Sequence, residues 1–277
     1  MEREVRHLKK KSFGVVGYGK MGSSLVKGAL NCSLLSTKNT IVYDLNGARI
    51  EVAKREGLFT VESLAGIVGS DSILLAVKPK EMPNLLYKLK ALIPAGSALF
   101  ISIAAGIKLA SIESKLGEGS RVVRVVPNIA ASVNEAVSVF VPNHWTRASD
   151  IKFVASLLKG IGMAYRLDNE SMIDAVTGIS SSGPAYFFLM MKALEDVGKR
   201  SGISDDLVRS LVSQTCKGAG TLALRSNDSF DQLIKSVASP GGITEKALRV
   251  MESKGFSQTV IEAVFAAIEK SKKMNYP

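Results

Sequence analysis

From Ser12 to about Leu167, short runs of Val, Ile and Leu alternate with amphipathic stretches, which predicts a mainly parallel sheet covered by helices. The apolar runs Phe13–Gly17, Thr40–Asp44, Ser72–Val77, Ala98–Ser102, Arg121–Val126, Val137–Val141 and Ala164–Leu167 read as strands. Between them Lys20–Asn31, Gly47–Glu56, Lys80–Ala91, Leu109–Lys115 and Ala148–Leu158 read as helices, several opened by turn or capping residues such as Asn46 and Ser149. After Leu167 the strand pattern stops. The polar run Asp168–Ser171 reads as a helix entry and a domain junction, and beyond it apolar residues recur at helical spacing, as in Leu207, Val208, Leu211, Val212 and in Phe256, Val260, Ile261, Val264. The expectation is an α/β doubly wound domain over residues 1–167 and an all-α domain over 168–277.

Within the helical part, Tyr186–Met191 is apolar on every side. A helix of that kind must be covered all round, which barely a hundred residues do poorly alone, so a homodimer with interlocked helices is expected.

Composition narrows the class without naming it. At 277 residues and 46% hydrophobic content the chain is long and apolar enough for two ordinary domains, and disorder is excluded as its main state. The charged Met1–Lys11 stretch has no apolar run after it long enough for a signal peptide, and no segment offers an uninterrupted membrane span, which predicts a soluble, cytoplasmic protein. Cys32 and Cys216 lie far apart and fit buried thiols, while His7 and His144 are too few for a histidine metal cluster. A net charge of +11 and the Lys9–Lys11 run raise nucleic acid as a partner. The other positive residues are interspersed with acids and aromatics are only 6%, so the charge reads instead as a basic surface that attracts an anionic cofactor.

The sharpest motif is Gly17-Tyr18-Gly19-Lys20-Met21-Gly22, which follows a predicted strand and opens a predicted helix. In that context the first glycine permits the tight turn, the second lets backbone approach a pyrophosphate, and the third lets helix pack on sheet with its N-terminus facing the phosphates. The next strand ends in Asp44, about twenty residues beyond the motif, where a carboxylate accepts hydrogen bonds from the adenosine ribose and repels a 2′-phosphate. That favours NADH over NADPH, with Arg49 or Lys54 as groups able to reverse the preference by holding a phosphate. Ala76-Val77-Lys78-Pro79 and Ala104-Ala105-Gly106 lie at later strand ends, on the carboxyl edge where such sheets bind ligands. Lys78 reads as a coenzyme contact, with a catalytic acid as the open alternative.

A second motif interrupts the helical part. Ser239-Pro240-Gly241-Gly242-Ile243-Thr244 combines bare glycine amides, hydroxyls and a helix starting near Thr244, the ingredients of a small-anion pocket. A turn that ends one helix and starts the next would need only the proline and glycines, so the hydroxyls of Ser236, Ser239 and Thr244 exceed that need.

Taken together, GYGKMG, Ala76-Val77-Lys78-Pro79, Val126-Pro127-Asn128, Ser181-Ser182-Gly183-Pro184-Ala185-Tyr186 and above all Ser239–Thr244 resemble the pyrroline-5-carboxylate reductase family, in order and spacing over nearly the whole chain. The resemblance implies a Rossmann-type domain, a helical dimerisation domain, often a ring of dimers, and a substrate held between the two parts. It also implies hydride transfer from NAD(P)H to the imine carbon of 1-pyrroline-5-carboxylate, giving L-proline. On this chain it makes Ser239, Gly241 and Gly242 contacts to the substrate carboxylate, Thr244 the hydroxyl near the ring nitrogen, and Glu170 a further pocket residue. No metal is implied. Two segments depart from the family pattern: around Asn227–Phe230 relatives more often carry a glutamate and a His-Pro pair, and at Asp44-Leu45-Asn46 many relatives carry Asn or Ser followed by Arg. The rival readings are a β-hydroxyacid dehydrogenase, for which Lys192 lies too far from Gly183, and a non-catalytic NAD(H)-sensing protein.

Overall fold

The computed structural model describes residues 12–274, so the Met1–Lys11 lead-in, with its lysine run and His7, lies outside the described residues. An eight-stranded sheet has the order β3-β2-β1-β4-β5-β6-β7-β8, built from β1 (Phe13–Val16), β2 (Thr40–Tyr43), β3 (Phe59–Thr60), β4 (Ser72–Leu75), β5 (Leu99–Ser102), β6 (Arg121–Val126), β7 (Ala136–Pro142) and β8 (Gly162–Arg166). The first six strands are parallel; β7 is antiparallel to β6 and β8 is parallel to β7. The reversal follows from chain length. Between β6 and β7 lies only a short 3-10 turn, Ile129–Val133, too little chain for a crossover helix, whereas α5 (Ala148–Lys159) carries the chain from β7 back to a parallel β8. The sequence pattern also leaves out β3, a two-residue strand on the sheet edge.

Alternation along each strand sorts the core into two layers. Phe13 and Val15 of β1, Leu74 of β4 and Leu99 and Ile101 of β5 face α1 (Lys20–Asn31) and α5, packing with Leu25, Val26, Val154, Leu157 and Leu158. Val16, Ile73, Leu75 and Phe100 face the opposite layer, formed by α3 (Met82–Leu92) and α4 (Leu109–Leu116), through Leu86, Leu89, Ile112 and Leu116. Helix α2 (Gly47–Arg55) connects β2 to β3 and is capped by Asn46, whose side chain accepts from the amides of Ala48 and Arg49. Ser149, by contrast, lies inside α5, whose N-cap is Arg147.

Strand order reverses between β1 and β4, and that switch point opens the crevice where ligands of such sheets bind. The β1 end is fastened there on both sides: Gly17 donates to the Tyr43 carbonyl at 2.9 Å, and Ala76 donates to the Val16 carbonyl at 2.8 Å.

Following β8 are a 3-10 turn at Glu170–Met172, the short α6 (Ile173–Val176) and a π turn at Thr177–Ser181. By density of contacts one compact unit comprises the described residues up to Ser181 together with 268–274, and a second comprises Ser182–Ala267. Five helices follow Ser182: α7 (Gly183–Arg200), α8 (Asp205–Arg225), α9 (Phe230–Val237), α10 (Ile243–Ser253) and α11 (Phe256–Lys273), whose last turns belong to the sheet-bearing unit. Helices α7 and α8 pack closely because Gly198 leaves room for Val208. The all-apolar stretch lies on α7, and in the single chain Phe187, Phe188 and Leu189 are 61%, 59% and 71% exposed. None of the described helices is long and apolar enough to cross a membrane.

Candidate active site

The glycine turn has two kinds of glycine. Gly17 is required by the fold: its φ is +98°, and a Cβ there would collide with the Ala76 carbonyl oxygen. Gly19 is not. Its φ is −73°, open to any residue, and the nearest atom to a Cβ would be the Arg49 guanidinium carbon at 3.7 Å. Folding supplies no reason for a glycine at position 19. Unimpeded approach by a ligand supplies one, at the point where α1 begins with Lys20, Met21 and Gly22 and presents a first turn free of acidic residues.

In front of this turn lies a cavity of about 930 Å³, lined by the turn glycines, Lys20, Met21, Asp44, Ala76, Val77 and Lys78, among others. That volume suits a dinucleotide. Asp44, 5% exposed through its side chain, accepts from the Tyr18 amide at 2.7 Å and the Asn46 amide at 2.8 Å, and pairs with Arg49 at 3.3 Å. Leu45 beside it also lines the cavity and is 87% exposed, an apolar platform beside the polar rim. Lys78 opens the 3-10 turn Pro79–Glu81, its amide donating to Glu81 at 3.2 Å.

Not every expected coenzyme residue lines this cavity. Tyr18 is buried beneath the turn, Pro79 begins the 3-10 turn, and among the described residues Ile103 rather than Ala104 or Ala105 lines it on the β5 side. Gly106 lines a separate cavity instead. Sequence reasoning missed Lys80, Asn84 and Lys88, which line the same cavity along α3 and its preceding turn. Their spacing of four was the available signal, since it puts three polar residues on one helical face.

In the helical unit, Ser239–Gly242 joins α9 to α10. Gly241 has φ +74°, the Gly242 amide returns to the Ser239 carbonyl at 2.9 Å, and Glu245 reaches back to the Gly241 amide at 2.7 Å while pairing with Arg249 at 2.8 Å. The Gly241 amide and the Arg249 partner hold the Glu245 carboxyl below its usual pKa, so this brace persists until the pH falls through that lowered value. Helix α10 therefore starts at Ile243, one residue before Thr244, and its first-turn amides are those that no helix can satisfy internally. Ile243 is 91% exposed. The loop thus combines a helix N-terminus, the Thr244 hydroxyl position and a turn shape fixed by Glu245.

Glu170 sits in the sheet-bearing unit. One carboxylate oxygen accepts from the Leu109 amide at 2.9 Å and from Arg124 at 2.7 Å, and the residue lines a cavity of about 350 Å³ with Lys108, Arg124 and Asp174. The Arg124 pair is largely withdrawn from solvent, which gives Glu170 a structural duty at the start of the helical segment.

A doubly wound sheet whose switch point carries this turn, helix and cavity defines a nicotinamide-dinucleotide oxidoreductase. Residues 12–106 match the family described as NADP oxidoreductase, coenzyme F420-dependent, and residues 170–274 match pyrroline-5-carboxylate reductase dimerisation. A pyrroline-5-carboxylate reductase of Pisum sativum is 34% identical over 265 residues, covering 95% of this chain and 96% of the relative. The solved pyrroline-5-carboxylate reductase of Coxiella burnetii superposes with a TM-score of 0.91 at 29% identity, over 97% of this chain and 100% of that one. The Plasmodium falciparum pyrroline carboxylate reductase, solved with NADP bound, gives 0.86 at 32% identity, over 96% and 98%. This chain belongs to the pyrroline-5-carboxylate reductase family.

Proposed function

We propose that this protein reduces 1-pyrroline-5-carboxylate to L-proline with NAD(P)H. The single observation that carries the coenzyme site is Gly19, a glycine without a folding reason at the mouth of a dinucleotide-sized cavity. When bound, NAD(P)H supplies a hydride to the imine carbon, and the ring nitrogen takes up a proton to become the secondary amine. The chain's own residues bind and orient. Lys20, Met21 and the α1 N-terminus receive the pyrophosphate, and Lys78 contacts the coenzyme from the β4 side. The Ser239–Gly242 turn and the first amides of α10 neutralise the substrate carboxylate, while the Thr244 hydroxyl hydrogen-bonds the ring nitrogen as electrons arrive there. Self-association runs through the helical segment matched by the dimerisation family. The exposed Phe187, Phe188 and Leu189 on α7 support burial against a second copy, and the family resemblance extends this to a ring of dimers.

NADH is the favoured coenzyme in this reading. The Asp44 carboxylate closes the ribose end of the cavity, and Arg49 is paired to it rather than left for a 2′-phosphate. Wild-type enzyme is expected to show the higher kcat/KM with NADH, and Asp44→Ser to shift the NADH-to-NADPH ratio at least about tenfold toward NADPH. Because Asp44 also holds the Tyr18 amide, both absolute values should fall, which makes the ratio the informative quantity. A wild-type preference for NADPH would overturn this assignment. The reductase activity itself is read from NADH or NADPH oxidation with pyrroline-5-carboxylate, and tight coenzyme binding with no turnover would favour a sensor instead.

A further inference from the structure

Tyr18 stands between the first two glycines of the turn, yet its side chain is 2% exposed and packs in the core layer with Leu25 and Val26. Burial alone would be met by phenylalanine. The hydroxyl instead donates to one oxygen of Glu56 at 2.6 Å, and the other oxygen of Glu56 lies 3.0 Å from the Lys27 ammonium. Glu56 is the residue that ends α2, Lys27 lies in the third turn of α1, and the Tyr18 amide is held by Asp44 at the end of β2. One residue of the turn is thus clamped through its main chain to the sheet and through its side chain to both neighbouring helices. Burial, then the hydrogen bond and charge of Glu56, push the phenol well above its usual pKa, so it remains a donor across the working pH range.

The peptide groups of Gly19, Lys20 and Met21 follow Tyr18 directly, and a small rotation at Tyr18 would re-aim all three. We propose that the Tyr18–Glu56–Lys27 chain is a positioning device that sets the glycine turn in its coenzyme-binding shape before the coenzyme arrives. Tyr18 is buried and does not line the cavity, so its contribution is preorganisation, which lowers the ordering cost of binding. The inference rests on the coenzyme reading of the cavity above.

The test uses the full-length, assembled enzyme with Tyr18→Phe, Glu56→Ala and the double variant, together with Gly19→Val as a check on the coenzyme reading. Each is measured by NADH fluorescence titration, steady-state kinetics and thermal melting. Tyr18→Phe is expected to weaken NADH binding about five- to tenfold, within the range for losing one ordinary intramolecular hydrogen bond. KM for NADH should rise by the same factor, with kcat at saturating NADH and KM for pyrroline-5-carboxylate unchanged. Glu56→Ala should do the same, and the double variant should be no worse than either single one, because both remove one interaction. Glu56→Gln keeps an acceptor for the phenol and is expected to recover most of the affinity. NADH affinity within about twofold of wild type in Tyr18→Phe, with or without a lowered Tm, would reduce the chain to a structural contact and overturn the proposal, as would strictly additive losses in the double variant. If Gly19→Val binds NADH normally, the coenzyme reading itself fails, whatever Tyr18→Phe does.

Discussion

Replacing Gly19 with valine is expected to weaken NADH binding about a hundredfold, corresponding to about 2–3 kcal/mol of steric cost, while the melting temperature stays close to wild type. The two halves of that expectation come from the same geometry. At φ −73° a valine needs no unusual backbone, and a Cβ meets only the Arg49 guanidinium, at ordinary contact distance. Gly19 and Arg49 both line the cavity, so the added methyls are expected to take up space there that the proposed pyrophosphate site needs. Gly17→Val makes the contrast, since there the backbone is at φ +98° and the Ala76 carbonyl stands in the way, so the variant should lose stability as well as coenzyme. Fluorescence titration and thermal melts on both variants separate the two effects. Unchanged affinity in Gly19→Val would place the coenzyme elsewhere.

Thr244→Ala is expected to lower kcat about a hundredfold, within the range found for removing one hydrogen-bonding group from a reacting centre. Coenzyme affinity and Tm should be unaffected. Thr244 lies in the first turn of an exposed α10, and the turn before it is held by the Ser239 carbonyl and the Glu245 carboxylate, neither of which uses the threonine hydroxyl. The loss should therefore appear in the chemical step and be visible in single-turnover reduction of pyrroline-5-carboxylate. Unchanged kinetics would remove Thr244 from the mechanism. A rise in KM for the substrate with kcat intact would restrict the residue to ground-state binding.

How much was legible in the sequence depended on whether a signal was local. The strands and helices around the glycine turn follow from periodicity because buried parallel strands are continuous apolar runs and their covering helices are amphipathic. Asp44 was visible for the same reason, as the acid ending such a run. The second duty of Asp44, holding the Tyr18 amide, was not, because it joins the turns that follow two separate strands. The reversal at β7 was marked only by its short link from β6, too little chain for a crossover helix, because β7 is itself as apolar a run as its parallel neighbours. Lys80, Asn84 and Lys88 carried a faint signal, overridden by the ordinary expectation that lysines on a helix face water. Glu170 could be found by resemblance, but its bonds to Leu109 and Arg124 bring together residues far apart along the chain. The Ser239–Thr244 loop was plain because proline, paired glycines and hydroxyls break a helical pattern, whereas the Glu245 brace behind it looks like any charge on a helix surface.

The bare aromatic face of α7 has a consequence for handling the enzyme as well as for its assembly. Phe187, Phe188 and Leu189 are as open in the lone chain as surface lysines usually are, so a protomer parted from its mate holds its helical half against water with little apolar cover. Mass action then enters the stability of that half directly: dilution favours dissociation and withdraws the apolar cover that a second copy lends it.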